Sequence, residues 1–467
     1  MSADEGFGLV VVANRLPVER ADTPQGWVRA PGGLVTALTT VVRRTEGAWV
    51  GWDGSIDGGS SPFTAAGMHL VPVPMSQAEV TDFYDGFANA TLWPLFHDVI
   101  VKPQYHRQTW AAYRAVNERF AAQAAAVAAP GATVWVHDYQ LTLVPGLLRA
   151  RRPDLTIGFF NHIPFPPYEI FAQLPWGSVV IAGLLGADLL GFQRPQDASN
   201  FLRACRRSLG ARTSGHGLDR VDPDGRRRRI RVRAYPIGVD APGLEAQVRQ
   251  ESTSRRVAEF REQLGDRRII LGVDRLDYTK GISVRLRAMD ELFAEGRLDP
   301  DDVVFVQVAT PTRERVDAYR EMRDAIELAV GRVNGRYATL SSAPIVYLHS
   351  TMGLPDLLAL YRIADVMLVT PLRDGMNLVA KEYVACRIDD SGVLVLSRFT
   401  GAADTLTKAL LVNPHDIEGV KDAIIQAVGM PLREQRARMR ALRREVRIHD
   451  VQSWAEGFLA DLAASPS

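Results

Sequence analysis

Cysteine and long apolar runs are scarce in this chain of 467 residues. Its two cysteines, Cys205 and Cys386, lie far apart and in no CxxC or Cys/His spacing, which argues against a disulfide framework and a zinc site. No uncharged apolar run reaches the roughly 18 residues of a membrane span. The first residues, "MSADEGFG", lack the basic start and apolar stretch of a secretory signal. The sequence therefore predicts a cytoplasmic protein with no membrane partner.

An excess of charge of either sign is also missing. Lys and Arg together number 55 and Asp and Glu 54, so the formal net charge is only +1. Nucleic-acid-binding proteins usually carry a basic surface, so no nucleic-acid partner is expected. The arginine run at 226–229 continues into alternating arginine and apolar residues, which we interpret as the solvated face of a strand.

Short β-branched runs alternate with longer helical patterns, and this alternation occurs twice along the chain. Such a pattern is typical of βαβ units and of a mostly parallel sheet. The first series of strands begins near residue 9 and the second near residue 267, with a boundary between 240 and 265. The segment 108–129 has strong helix propensity and is expected to end at "PG". The sequence therefore predicts two doubly wound α/β domains.

Polar residues follow the predicted strands repeatedly. In open α/β sheets, ligands bind beyond the carboxyl ends of the strands, and two such sheets that face each other would form a cleft. We therefore expect the functional site among the polar residues at these ends. They are Asn14, Arg15, Asp138, Asn161, His162, Asp274, Arg275, Arg313 and Asp374.

Two histidine segments of the first half fit hydroxyl recognition, although another interpretation stays open. "VWVHDYQL" ends a strand with His137 and Asp138, and "FFNHIPFPPYEIF" places Asn161 and His162 before a stiff proline-rich turn. A neutral imidazole in a rigid loop can hydrogen-bond a sugar hydroxyl. Taken alone, each segment fits a helix cap or a satisfied core histidine better.

The segment "GVDRLDYTKGI" is typical of a phosphate site. Arg275 and Lys280 lie five residues apart at the entry to a helix, and Lys280 belongs to a small set of lysines in an arginine-rich chain. A guanidinium, an ammonium and a partly positive helix start can together neutralise a diphosphate. The alternative is that these cations pair with Asp274 or Asp277. Beyond the next strand, Arg313 either reaches an anion or belongs to a solvated helix start.

The segment "DGMNLVAKEY" also lies between a buried strand and a helix. The carboxylates of Asp374 and Glu382 can accept hydrogen bonds from vicinal hydroxyls of a hexose and a ribose, while amides of the helix start meet a phosphate. An N-cap aspartate and a surface glutamate are the alternatives. The glycine pair in "APGGLVTAL" is a weaker phosphate signal, because the dinucleotide pattern GxGxxG is absent.

Taken together, these segments resemble a known family. "ANRLP", "FYDGFANATLWPLFH", "VWVHDYQL", "FFNHIPFPPYEIF", "RLDYTKGI", "PTRERVDAY" and "DGMNLVAKEY" occur in one order between residues 8 and 460 and are similar to motifs of trehalose-6-phosphate synthases. The resemblance implies the GT-B architecture, in which two Rossmann-like doubly wound parallel-sheet domains face a cleft. It places acceptor binding in 1–240 and nucleotide-sugar binding in 241–449, with a last helix, 450–465, packed back on the first domain. It also implies a homodimer or homotetramer.

The same resemblance implies transfer of glucose, with retention, from a nucleoside-diphosphate glucose to glucose 6-phosphate, which yields α,α-trehalose 6-phosphate. No metal and no cofactor would be needed, since the nucleotide sugar is a co-substrate. UDP, ADP and GDP all remain candidate nucleotides. The alternatives are a relative with another acceptor, such as a glucosylglycerol-phosphate synthase or a pseudoglycosyltransferase, and a non-catalytic sugar-phosphate sensor.

Residue roles also follow from the resemblance, motif by motif. The glucose 6-phosphate site would comprise Arg15, Tyr84, Trp93, Asp138 and Arg313. The donor site would comprise Gly33, His162, Arg275, Lys280, Asp374, Leu378, Val379 and Glu382. The residues that act in catalysis would be Asp138, His162, Arg275, Lys280 and Asp374. In the implied front-side displacement, the leaving diphosphate accepts the proton of the acceptor hydroxyl while an oxocarbenium-like centre forms.

Overall fold

The computed structural model describes residues 6–20, 26–30, 33–221, 225, 227–340 and 342–464. Within these ranges the chain forms two compact units. One consists of residues up to Ile237 together with those from Val451, and the other of Gly238–Asp450. Each unit has its own sheet with helical connections. No helix in the described ranges is both long and apolar enough to cross a membrane.

A ten-stranded sheet forms the centre of the first unit. The strands of this unit are β1 (Phe7–Arg15), β2 (Val18–Arg20), β3 (Trp27–Arg29), β4 (Ala48–Trp52), β5 (Phe63–Ala65), β6 (Met68–Pro72), β7 (Ala128–His137), β8 (Thr156–Phe160), β9 (Leu189–Phe192), β10 (Thr213–Ser214), β11 (Gly217–Val221) and β12 (Arg227–Ala234). The sheet order is β10-β11-β12-β9-β8-β7-β1-β4-β6-β5, and β2 pairs separately with β3. Its central strands are parallel, and the antiparallel pairs lie at its two ends.

Helices connect these strands, and one of them is of an uncommon type. The α-helices are α1 (Gly33–Arg44), α2 (Gln77–Glu79), α3 (Trp93–Phe96), α4 (Arg107–Val127), α5 (Val144–Arg151), α6 (Tyr168–Phe171), α7 (Gly177–Leu184) and α8 (Pro195–Leu209). Between α2 and α3 the chain forms a π-helix over Val80–Leu92, and a short 3₁₀ turn follows β7 at Tyr139–Leu141. The π-helix, whose hydrogen bonds run from residue i to i+5, is rare, and single π-helical turns occur often at functional sites.

The second unit contains a six-stranded sheet in which every pair is parallel. Its strands are β13 (Arg268–Arg275), β14 (Val303–Thr310), β15 (Ile345–Leu348), β16 (Val366–Val369), β17 (Val393–Ser397) and β18 (Leu410–Val412), in the order β15-β14-β13-β16-β17-β18. Its helices are α9 (Ala241–Val248), α10 (Glu251–Leu264), α11 (Ile282–Ala294), α12 (Asp317–Tyr337), α13 (Leu354–Ile363), α14 (Leu378–Cys386), α15 (Ile417–Val428) and α16 (Leu432–Ile448). Its 3₁₀ turns cover Tyr278–Lys280 and Gly401–Asp404.

The last helix, α17 (Val451–Ala463), belongs to the first unit. The Phe458 ring of α17 stacks on Trp135 of β7 with a centroid distance of 4.6 Å. Two glycines of the neighbouring strands make room for it, because a Cβ at Gly158 or Gly191 would lie only 2.8 Å from the Phe458 ring. Small residues in the sheet and an aromatic residue in the helix therefore fit each other.

The end of one predicted helix and the exposure of one predicted strand differ from the predictions. Helix α4 ends at Val127, before the predicted stop, and Pro130 and Gly131 lie inside β7, where Gly131 has φ +70°. Residues 227–229 of the arginine run lie in β12, as predicted, but they are not wholly solvated. Arg228 is buried and donates to Asp188 at 3.1 Å and to two backbone carbonyls, so its charge is neutralised inside the protein. Arg226 lies outside the described residues.

Helices α5 and α7 approach each other closely at glycine positions. A Cβ on Gly186, just after α7, would lie 2.3 Å from the amide nitrogen of Gly146 in α5. A Cβ on Gly146 would likewise lie 3.0 Å from the backbone of Gly183. The backbones are therefore too close for any side chain between them.

We predict that Gly186→Ala destabilises the protein by roughly 2 kcal/mol or more, because backbone atoms cannot yield to the added methyl group. Gly331→Ala in the exposed part of α12 is the matched control. A Cβ there meets no atom within 4 Å, so this variant should be stabilised by about 0.5–1 kcal/mol through helix propensity. Urea unfolding measures both, and equal stabilities would contradict the close approach.

Candidate active site

Asp138 lies just after β7 and orders the segment that follows β8. Its backbone has φ +73° and ψ 168°, a strained combination for a residue with a side chain. Its amide donates to the Phe160 carbonyl at 2.8 Å, and its Oδ1 accepts from the His162 amide at 3.1 Å. These bonds hold the carboxylate at the carboxyl ends of two paired strands.

The imidazole of His162 lies between two polar side chains. Its Nε2 is 3.1 Å from Nδ1 of His137, and its Nδ1 is 3.4 Å from the side-chain nitrogen of Gln193. The Gln193 oxygen accepts from the Ile237 amide at 3.0 Å, which fixes the orientation of this side-chain amide. Because the Gln193 nitrogen only donates, Nδ1 of His162 accepts and its Nε2 carries the proton.

Both histidines are uncharged in the folded protein. Burial lowers the pKa of His162 to about 3. Burial, followed by the nearby His162, lowers the pKa of His137 well below its usual value. Both ring nitrogens of His162 face protein groups. The alternative interpretation, a histidine whose hydrogen bonds are satisfied within the protein, therefore fits this ring. Its contact with a donor sugar stays a prediction.

Arg15 and Gly33 represent the predicted phosphate region of the first unit. Arg15 ends β1 as an exposed residue, and its guanidinium carbon lies 4.3 Å from the centre of the Trp52 ring. This cation–π contact orients the guanidinium without cancelling its charge. Gly33 begins α1, whereas its neighbour Gly32 of the predicted glycine pair lies outside the described residues.

Tyr84 and Trp93 lie on one continuous helical segment of the same unit. Tyr84 is partly buried in the π-helix, and Trp93 is the first residue of α3. The Trp93 ring is buried and packs on His97 and Tyr139, with centroid distances of 4.2 and 5.6 Å. The wide π-helical turn thus sets the spacing between the phenol and the indole.

Lys280 and Asp374 meet in the second unit. Lys280 ends the 3₁₀ turn after β13, Asp374 follows β16, and Nζ of Lys280 lies 2.6 Å from Oδ2 of Asp374. Both side chains keep a little exposure, 11% and 13%, so the pair is reachable from solvent. The alternative that Lys280 pairs with Asp274 or Asp277 is wrong. Instead, Asp274 pairs with the buried Arg285.

Asn377, not Asp374, is the N-cap of α14. Its Oδ1 accepts from the Ala380 amide at 3.1 Å, and its Nδ2 donates to Asp374 at 3.1 Å. The aspartate-cap alternative is therefore wrong, and Asp374 keeps a position before the helix. Leu378 and Val379 are the first two residues of α14, where amides have no carbonyl partner within the helix.

Glu382 is half-buried in the second turn of α14, so the surface-glutamate alternative is wrong. Its Oε2 accepts from the Tyr361 hydroxyl at 3.1 Å. Burial raises the pKa of Glu382 and outweighs this hydrogen bond, which lowers it. A carboxyl group in such a setting suits hydrogen bonding to a neutral hydroxyl, as a ribose contact requires.

Arg313 is buried against Asp277, so the solvated-helix alternative is wrong. Its Nη1 lies 3.2 Å from Oδ2 of Asp277, and it also contacts the Tyr319 hydroxyl. The Tyr319 hydroxyl donates to the same Oδ2 at 3.1 Å. Burial raises the pKa of Asp277, but the charges of Arg313, Arg275 and Lys280 and the amide of Thr279 lower it further, to about 2.

The second unit brings several predicted residues together. Arg275 is exposed at the end of β13, and its charge acts on Asp277 as those of Lys280 and Arg313 do. Asp277 thus lies within the field of three predicted phosphate-binding cations. From the sequence, Asp277 is only an alternative partner for a cation. No sequence pattern points to Tyr319 or Tyr361, because both lie within helices and follow no strand.

The chain matches the model of glycosyltransferase family 20 over residues 8–464. It belongs to this family. Trehalose-6-phosphate synthase of Mycolicibacterium gilvum is 56% identical over 469 residues, which cover 97% of this chain and 93% of that protein. The resemblance to trehalose-6-phosphate synthases is therefore confirmed.

Solved structures of family members agree. An α,α-trehalose-phosphate synthase (UDP-forming) from Burkholderia xenovorans, in complex with glucose-6-phosphate, has a TM-score of 0.89 and 36% identity, covering 98% of this chain and 100% of that chain. An E. coli structure bound with UDP-2-fluoro glucose has a TM-score of 0.89 and 33% identity, covering 98% and 99%. The predicted α/β fold class of the GT-B type is thereby confirmed for this family 20 chain.

We predict that His137→Gln makes stability less dependent on pH. Buried His137 stays neutral, whereas the unfolded side chain binds a proton below about pH 6.5, so unfolding takes up a proton there. The free energy of unfolding of the wild type should therefore fall as the pH decreases below that value. Removing the group should reduce this slope by up to about 1.4 kcal/mol per pH unit.

Urea unfolding at several pH values between about 5 and 7.5 measures the slopes. The exposed His449, replaced by Gln, provides the matched control. Identical slopes in the wild type and His137→Gln would show that His137 is not held neutral.

Proposed function

We propose that this chain is a retaining glycosyltransferase that transfers glucose from a nucleoside-diphosphate glucose to glucose 6-phosphate, forming α,α-trehalose 6-phosphate. The observation that carries the proposal is the similarity over nearly the full chain to trehalose-6-phosphate synthases. It is supported by two similar structures, which hold glucose-6-phosphate and UDP-2-fluoro glucose.

The second unit has the charges that a departing diphosphate needs. Arg275 and Lys280 supply positive charge, and the amides of Leu378 and Val379 at the start of α14 add the positive end of a helix dipole. A bound diphosphate competes with Asp374 for Lys280. The Asp374 carboxylate is then able to accept hydrogen bonds from hydroxyls of the donor glucose.

In the proposed reaction, the bond from the anomeric carbon to the diphosphate oxygen breaks while the acceptor oxygen attacks from the same face. The acceptor hydroxyl passes its proton to an oxygen of the departing diphosphate, so no protein base is required. The protein contributes orientation and neutralisation of the developing negative charge. Such electrostatic contributions are typically about 3–4 kcal/mol for one donor group.

Acceptor binding combines the remaining predicted residues. By resemblance to the family, an acceptor-binding role is proposed for Arg15, Tyr84 and Trp93 in the first unit and for Arg313 in the second, since guanidinium, phenol and indole groups all donate to phosphate oxygens. Asp138, held by the bond to the His162 amide, accepts from a sugar hydroxyl. These roles extend the proposal to residue level, as does the assignment of Glu382 to the ribose and of Gly33 to the phosphate region.

Neither a metal nor another cofactor takes part in the proposed reaction, since arginine, lysine and helix amides perform the neutralisation. One acidic cluster in the described residues has ligand-like spacing, Glu291, Glu295 and Glu418. The ammonium of Lys421 lies 2.6–3.0 Å from all three carboxylates. An internal cation thus neutralises this cluster.

Nucleotide release from purified protein tests the function. UDP-, ADP- and GDP-glucose are each supplied with and without glucose 6-phosphate, in EDTA, and the disaccharide is identified by NMR. Release that depends on the acceptor, with an α,α-1,1 product, supports the synthase and ranks the donors. Sugar-phosphate binding without turnover would favour a sensor, and turnover only with another acceptor would favour a related transferase.

We predict that Arg313→Ala raises the KM for glucose 6-phosphate about 10- to 100-fold and the KM for the donor much less, because a charge-assisted contact to phosphate is lost. Arg313→Lys keeps a charge beside Asp277, so its KM for glucose 6-phosphate should lie between those of the wild type and Arg313→Ala. Arg315→Ala, at an exposed neighbouring position, is the control. Steady-state kinetics with both substrates decides, and equal rises in both KM values would argue against the assignment.

A homodimer or homotetramer and a cytoplasmic location complete the proposal and rest on the family resemblance and the sequence. Light scattering on the purified protein measures the mass in solution and thus the number of chains.

A further inference from the structure

Asp277 has two carboxylate oxygens with separate sets of partners. Oδ1 accepts from the amide and the hydroxyl of Thr279, each at 2.9 Å. Oδ2 faces Arg313 at 3.2 Å and accepts from the Tyr319 hydroxyl at 3.1 Å. The side chain is fully buried, so both sets of bonds are shielded from water.

The Oδ1 side leads to the predicted diphosphate group. Thr279 is the middle residue of the 3₁₀ turn Tyr278–Lys280, which Asp277 caps. The Thr279 carbonyl also accepts from the Leu372 amide at 2.7 Å, just before Asp374. The turn that carries Lys280 and the segment before α14 are thereby joined. If Asp277 were free to move, Lys280 would therefore be free to move as well.

The Oδ2 side leads to the predicted acceptor phosphate group. Arg313 has φ +50°, a backbone conformation that residues with side chains rarely adopt and that the surroundings must hold. Its side chain is only 3% exposed, so its charge needs a partner in the protein. Asp277 and Tyr319 provide that partner, and they set where the guanidinium lies.

We infer that Asp277 is a positioning residue that couples the donor-diphosphate site to the acceptor-phosphate site through one buried carboxylate. This inference rests on the proposed function, because it uses the roles proposed there for Lys280 and Arg313. A diphosphate that immobilises the turn also fixes Asp277, and Asp277 then presents Arg313 in one orientation. Each ligand therefore tightens the binding of the other by the same factor.

The test is calorimetric binding of glucose 6-phosphate with and without saturating nucleoside diphosphate, which needs no turnover. In the wild type the nucleotide should lower the Kd for glucose 6-phosphate by a factor of about 5 or more, within the usual range of coupling. Asp277→Asn should weaken the binding of both ligands and bring the factor close to one. A factor of one in the wild type, or an unchanged factor in the variant, overturns the inference.

Two further variants address one side each. Tyr319→Phe removes only a hydroxyl at Oδ2. It should raise the Kd for glucose 6-phosphate and leave the Kd for the nucleotide unchanged. Thr279→Val removes only a hydroxyl at Oδ1 and should do the reverse. The opposite pattern in either variant, or equal effects on both ligands, would contradict the division between the two oxygens. Both remain informative if Asp277→Asn fails to fold.

Asp188→Asn is the matched control for lost stability. Asp188 is a buried carboxylate of the first unit that also has arginine partners, Arg149 at 2.6 Å and Arg228 at 3.1 Å, and accepts from the Ile157 amide at 2.8 Å. This variant should melt at a lower temperature but keep the coupling factor. If it lost the factor as well, coupling would be a general result of destabilisation, and Asp277 would have no special role. Wild-type nucleotide release is measured separately, so failure of the function and failure of the coupling are distinguishable.

Discussion

Parallel strand pairing is the constraint on which the arrangement of polar side chains depends. Every parallel connection returns the chain to the same edge of the sheet, so residues that follow different strands become neighbours. In the second unit Arg275 pairs in register with Thr310, and Arg313 comes three residues later. Asp374 leaves the adjacent strand β16 at the same edge and meets Lys280 there. Residues almost a hundred positions apart thus form one charged group.

The cost of burying charge explains how that group is ordered. An unpaired charge inside a protein is expensive, and the buried carboxylates of Asp274 and Asp277 both have arginine counterions. Below Lys280, Arg285 pairs with Asp274 at 2.5 Å and donates to the Lys280 carbonyl at 3.0 Å. Burial still raises the pKa of Asp274, although Arg285 opposes this. The paired ions beneath the turn provide a rigid base, while the cations Arg275 and Lys280 keep access to solvent.

The sequence predicts the order of the strands better than it predicts the contact partners of single side chains. Alternating runs predicted the main strands of both units, and motif spacing predicted which residues follow them. The strand β4, Ala48–Trp52, was not predicted, because "AWVGW" shows no alternation of apolar and polar residues. It is wholly buried beside β1. The pairing of side chains is harder to predict from the sequence. Contacts between distant segments, which no local pattern records, decide which aspartate meets Lys280 and whether Arg228 is buried.

The position of α17 has a consequence for the order in which the protein is made. Residues 238–450 are inserted in the chain between the main part of the first unit and its last helix. A ribosome therefore completes the whole second unit before Phe458 exists, and Trp135 and the glycine-lined strands beside it lack their aromatic cover until then. The first unit therefore matures only after the second unit has been made, and a chain interrupted before α17 carries an open apolar face that chaperones can bind.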